Sequence, residues 1–181
     1  MLGHMTKDLK PSDDLYYSIK GLPGWNSLLR AVQDGESDGE STRLRRLTGE
    51  LISSVLLAAG EDTRPVAISG GLDDEWSGRF VAVYPTLIVV AETESLYELN
   101  PGSFNVKVWP TSAARNLKVR AVHNYFKGAD RGNRTDGVTF RFELDDEAYE
   151  VKPTPRTADS TPRSESAAIY EAFKLLRDTQ P

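Results

Sequence analysis

The chain has 181 residues and a formal net charge of −5, with 39% hydrophobic and 27% charged residues. This composition supports one domain with a real core, with or without a helical extension, and lies well away from disordered chains. Cysteine is absent, which excludes disulfide staples, thiolate zinc or iron–sulfur ligation and a thiol nucleophile. The acidic balance argues against a general nucleic-acid-binding or anionic-membrane protein, since both favour broad positive surfaces.

The opening MLGHM reads as an expression scar, residues 1–4, ahead of a start at Met5. No apolar run reaches the roughly 18 residues of a membrane span, and no basic start precedes an apolar stretch as in a signal peptide. A cytoplasmic location is the expectation. Residues 5–60 read as a helical N-terminal segment. Pro11-Ser12-Asp13-Asp14 starts a first helix carrying Leu15, Tyr16 and Ile19, closed by Lys20-Gly21. Pro23-Gly24 opens a second, with Trp25, Leu28, Leu29 and Val32 at helical spacing up to Asp34-Gly35. In the third, Ser41 is placed to cap, Leu44, Leu47, Leu51, Val55 and Ala58 recur at threes and fours, and Gly60 stands at the C-terminal cap. The sequence leaves open whether this segment docks on the rest of the chain or on another subunit, and the oligomeric state with it.

From residue 61 the hydrophobic period changes to two. Pro65 to Ser69 reads as a short strand, and Ser69-Gly70-Gly71 as a bulge or turn ending it. Phe80 to Tyr84 and Leu87 to Ala91 flank Pro85-Thr86 as a hairpin of two largely buried strands. Phe104, Val106 and Val108 alternate with polar residues. So do Leu117, Val119 and Ala121, and then Val138, Phe140, Phe142 and Leu144. Asp145-Asp146-Glu147 turns the chain into Tyr149 and Val151. A Pro/Ser/Thr-rich connector then leads to a helix after Ser164, striped by Ile169, Ala172, Phe173 and Leu176.

The fold class is therefore α+β: N-terminal helices, about seven antiparallel strands forming a barrel or sheet, and one C-terminal helix over residues 61–181. Seven short strands, among them the hairpin RFVAVYPTLIVVAE, followed by one amphipathic helix, resemble the pleckstrin-homology-like fold and its bacterial relatives. The likeness covers residues 61 to 178, rests on element order without a diagnostic motif, and does not include the N-terminal helices. A helix-backed curved sheet of the nuclear-transport-factor type has a similar element list.

Chemistry is sparse. His123 is the one histidine outside the scar. It lies near the end of an inward-facing alternation and reads as a packing residue before a catalytic one. No serine occupies a nucleophile-elbow pattern, and no phosphate-binding glycine motif occurs. Asp73-Asp74-Glu75 and Asp145-Asp146-Glu147 cluster carboxylates without the alternation of a calcium loop. No cofactor or metal is expected. The distinctive feature is residues 115 to 134, RNLKVRAVHNYFKGADRGNR, with six Lys or Arg against one acid, so that the rest of the chain sums to −10. Lys118 and Arg120 lie two apart in a strand and so share a face. Lys127, Arg131 and Arg134 follow on Gly-rich backbone that leaves amides free for an anion, and Lys107 and Arg141 on flanking strands are placed to extend the patch. The plainer reading is a basic edge that discourages aggregation. The functional one is a cradle for an anionic group, which makes the chain a non-enzymatic binding or scaffolding protein for an acidic protein surface. The alternatives are a phospholipid- or phosphate-ligand-binding domain in peripheral contact with a membrane, and an enzyme whose pocket carries no recognised motif. Nucleic acid is not an expected partner.

Overall fold

The computed structural model describes residues 10–34, 39–94, 96, 104–122, 137–154 and 162–180. Three helices come first: α1 Pro11–Lys20, α2 Trp25–Asp34 and α3 Gly39–Ala59. Pro11 stands in the first turn of α1, where its missing N–H is no loss, Asp13 and Asp14 face the positive end of the helix dipole, and Lys20 faces the negative end. Seven strands follow: β1 Ala67–Leu72, β2 Gly78–Val83, β3 Leu87–Thr93, β4 Phe104–Pro110, β5 Arg115–Arg120, β6 Thr139–Leu144 and β7 Glu147–Val151. The helix α4, Pro162–Asp178, comes last.

The strands form two antiparallel sheets, a four-stranded one in the order β1-β2-β3-β4 and a three-stranded one in the order β5-β6-β7. The four-stranded sheet is the middle layer of the molecule. Phe80, Ala82, Tyr84, Val89 and Ala91 share one core with Leu15, Ile19, Trp25, Leu28, Leu51 and Val55 of the helices. Val81, Val83, Ile88 and Val90 share the other core with Phe140, Phe142, Leu144, Tyr149 and Val151 of the second sheet and Ile169, Ala172 and Leu176 of α4. Both faces of β2 and β3 are covered, which explains why these strands read as continuous apolar runs. Trp25 is wholly buried and meets Phe80 edge to face, with ring centroids 5.2 Å apart. The N-terminal helices therefore dock on the sheet of their own chain.

Among the described residues the strands do not close into one hydrogen-bonded barrel. β4 and β5 are joined by the short 3-10 turn Thr111–Ala113, yet they belong to different sheets. At the opposite corner the sheets are clipped together by Ser69. Its hydroxyl donates to the Lys152 carbonyl at 3.0 Å and accepts from the Lys152 N–H at 3.1 Å. Ser69-Gly70-Gly71 is thus the interior of β1, not its end. Gly70 is needed there for close approach, since a Cβ at that position would lie 2.2 Å from the Arg79 carbonyl oxygen of β2.

Candidate anion-binding face

The basic face is built from β5 and the two strands beside it. β5 begins at Arg115 with a bulge: Arg115 pairs with Glu143, but the register then slips by one, so that Lys118 lies opposite Arg141 and Arg120 opposite Thr139. Asn116 takes the left-handed conformation there (φ 52°), which Asn tolerates better than most residues, and its amide donates to Glu143. Beyond the bulge the alternation is regular. Lys118 and Arg120 point to the outer, solvent side with Arg141, while Val119 points inward with Phe140.

Both expected cations are exposed. Among the described residues neither has a carboxylate partner. Arg79, Lys107, Arg141 and Lys152 each do. Arg141 Nε donates to Glu150 at 2.8 Å, and Lys152 Nζ lies 3.4 Å from the same carboxylate. The hydrogen bond from Arg141 is the main reason the Glu150 carboxyl is held below its ordinary pKa. Arg115 turns back onto the carbonyls of Ser112 and Ala114. The outer face of this sheet therefore runs Lys118, Arg141, Glu150 across three strands, with Arg120 and Lys152 beside it and Glu150 as the carboxylate shared by two cations.

Lys127, Arg131 and Arg134, with His123, Tyr125 and Phe126, lie outside the described residues. Lys107 does not extend the patch. On β4 it belongs to the other sheet and turns into the space between the two. There it contacts Glu92 at 2.8 Å and Glu147 at 4.0 Å, and its pKa is raised chiefly by the hydrogen bond to Glu92. Val119 was expected to be covered, but it is 51% exposed, because β5 is a sheet edge and only Leu117 reaches the core beneath α4.

Sequence reasoning missed the polar seam around Lys107. Arg79 of β2 ion-pairs with Glu147, donates to the Ala148 carbonyl at 3.1 Å and lies 4.6 Å above the Tyr149 ring. Tyr149 donates to Glu147 at 2.8 Å. That bond, followed by the one from Arg79, holds the Glu147 carboxyl below its ordinary pKa, while burial and then Glu147 raise that of the Tyr149 phenol. The available signal was Arg79 on the same face as Val81 and Val83, a charge at the edge of an apolar stripe that needs a partner. Both carboxylate clusters are engaged within the fold. Asp73 Oδ1 accepts from the Glu75 and Ser77 amides at 3.0 and 2.8 Å, and Asp145 Oδ2 accepts from the Trp109 indole at 2.9 Å. Among the described residues, no helix is long and apolar enough to cross a membrane and no group of three or more His, Asp or Glu is placed to hold a metal.

No protein-family model matches the chain, and no curated protein matches it. Among solved structures, the crystal structure of the DH/PH domains of p115-RhoGEF is similar at 15% identity with a TM-score of 0.28, over 86% of this chain and 41% of that one.

Proposed function

We propose that the chain is a non-enzymatic binding or scaffolding module that holds an acidic protein partner against the outer face of its three-stranded sheet, through Lys118 and Arg120. One observation carries this reading: among the described residues these two exposed cations have no carboxylate partner, whereas Arg79, Lys107, Arg141 and Lys152 each have one. Lys118 lies directly opposite Arg141; Glu150 offsets Arg141, which leaves Lys118 to an anion from outside the sheet. An acidic segment laid along β5 supplies that anion. The element order and the split into four and three strands with a C-terminal helix also support the pleckstrin-homology-like reading of residues 61–181, a scaffold that holds partners on its surface. On that reading Lys127, Arg131 and Arg134 continue the cationic surface.

Fluorescence anisotropy with a labelled hexaglutamate-containing peptide tests the proposal, with Lys118→Glu/Arg120→Glu as the variant. At low salt the double reversal is expected to weaken binding by roughly tenfold or more, from about 1 kcal/mol per exposed charge contact and an added repulsion of similar size. Equal binding by wild type and variant refutes the site. Capture by vesicles containing phosphatidylserine or phosphoinositide, lost in the same variant and without peptide binding, moves the assignment to a phospholipid ligand.

A further inference from the structure

The corner where Ser69 clips the sheets together also holds a cleft of about 440 Å³, within the range of small-ligand sites. Its floor is the outer edge of β1. In an antiparallel ladder, alternate residues turn both N–H and C=O away from the partner strand. Leu72 belongs to this outward set, because its N–H bonds the Pro23 carbonyl at 2.9 Å. Gly70, two residues earlier, belongs to it as well. Among the described residues no hydrogen bond from outside the sheet reaches Gly70. The edge of β1 is thus closed at one end by the Pro23 turn and at the other by the Ser69–Lys152 clip, with one residue's amide and carbonyl open between them.

The walls specify what fits this opening. Gly70, Gly71 and Gly78 carry no side chain into it, and Pro23 and Pro153 flank it with apolar surface. Arg79 and Glu150 line the cleft as well, and so does Lys152, with a side chain that is 57% exposed. Its link to Glu150 is long, and Glu150 already holds Arg141 at the shorter distance of 2.8 Å. Lys152 thus shares Glu150 with Arg141, and its exposed ammonium has room for a second anion beside that carboxylate. An amide-sized opening on a strand edge beside an available ammonium matches a ligand with an amide next to a carboxylate.

We propose that this cleft binds the carboxylate end of an N-acylated amino acid, the chemistry shared by a peptide C-terminus and a small acyl-amino acid. The ligand amide bridges Gly70 as one residue of an added strand, and its carboxylate meets Lys152. The site is independent of Lys118 and Arg120, and reversing those two charges leaves it intact.

The test is a two-dimensional ¹H–¹⁵N NMR titration of the full chain with acetyl-Gly-Ala-Ala as its free carboxylate, as its C-terminal amide, and with N-acetylglycine. The free carboxylate is expected to shift the amides of Gly70, Gly71, Gly78 and Lys152. Amidation, or Lys152→Glu, is expected to weaken binding roughly tenfold, as loss of one charge-assisted contact does. Lys152→Met, which keeps the side-chain length, should behave like Lys152→Glu while retaining the wild-type spectrum elsewhere, which separates loss of contact from loss of fold. Equal binding of tripeptide and N-acetylglycine assigns the site to small acyl-amino acids, and binding of the tripeptide alone assigns it to peptide termini. The proposal is overturned if the Gly70 amide does not move with either probe, or if the amidated peptide binds as well as the acid.

Discussion

Removing the Trp25 indole tests the claim that the helices and the central sheet form one cooperative unit. Trp25 is completely buried among Leu15, Leu28, Leu51 and Phe80. Trp25→Ala should cost about 4 kcal/mol, the usual range for emptying an aromatic site in a core. With a typical urea slope of about 2 kcal/mol/M, the unfolding midpoint falls by roughly 2 M, a large share of the 5–15 kcal/mol that about 100 to 200 residues normally hold. Trp25→Phe separates two terms. It loses part of the packed ring, but it also removes an indole N–H that is buried without a hydrogen-bond partner among the described residues. An unpaired buried donor costs about 1–3 kcal/mol, which offsets most of the lost packing, so the net change should stay within about 1 kcal/mol of wild type. Urea unfolding followed by both far-ultraviolet circular dichroism and tryptophan fluorescence reads the two variants. A Trp25→Ala midpoint within about 0.5 M of wild type would refute the shared core. So would two separate transitions in the wild type. A Trp25→Phe variant as unstable as the alanine one would show that the indole N–H has a partner.

Two further outcomes follow from the β6–β7 hairpin. Asp145 and Asp146 both occupy the left-handed region in its two-residue turn, at φ 48° and 66°, where glycine is preferred at the second position. Asp146→Gly should therefore stabilise the protein by about 0.5–1 kcal/mol in thermal or urea unfolding, and a destabilisation would contradict the turn geometry. Glu147 has its pKa lowered in the folded state by Tyr149 and Arg79. The stability it contributes is present above its unfolded pKa near 4.3 and is lost as pH falls below that, through the lower folded value. Glu147→Gln should flatten the loss of stability below about pH 4 relative to wild type, and an unchanged acid limb in pH-dependent thermal unfolding would contradict the assignment.

The helices were the most legible part of the chain because their apolar periodicity is regular, although Ser41, expected to cap α3, lies inside that helix, which begins at Gly39. Pro11 with Lys20-Gly21 marked α1, and Leu44, Leu47, Leu51 and Val55 recur along one face of α3. β6 was legible for the same reason, since Phe140, Phe142 and Leu144 alternate with Thr139, Arg141 and Glu143. Three features were hidden. Glycines normally break strands, and only the tight packing of Gly70 on β2 explains their place within β1. The inward alternation of Val119 was readable, but its exposure depends on which strand ends the sheet, a long-range fact that local pattern does not carry. The face for Lys118 and Arg120 was correct by period alone. Strand order along the chain puts Lys107 beside Lys118, but β4 and β5 belong to different sheets, a pairing that local pattern does not carry.

The separation of charge gives these pieces a common logic. At the partly exposed seam between the sheets, Arg79 and Lys107 are matched by Glu147 and Glu92. On the outer face, where water screens the charge, Lys118 and Arg120 have no carboxylate partner among the described residues, which costs the fold little. Outside residues 115–134 the chain sums to −10, so on the proposed function an acidic partner is repelled by most of the chain's charge and attracted by that one segment. Such a field sets the orientation and rate of encounter more than the final affinity, and it weakens once ionic strength brings the screening length to about 10 Å or less. The contacts that hold a partner in place must then be short-ranged. On the proposed function, the edge of β5, unpaired among the described residues and with Val119 half exposed beside its cations, offers both the backbone hydrogen bonds and the apolar contact for that step.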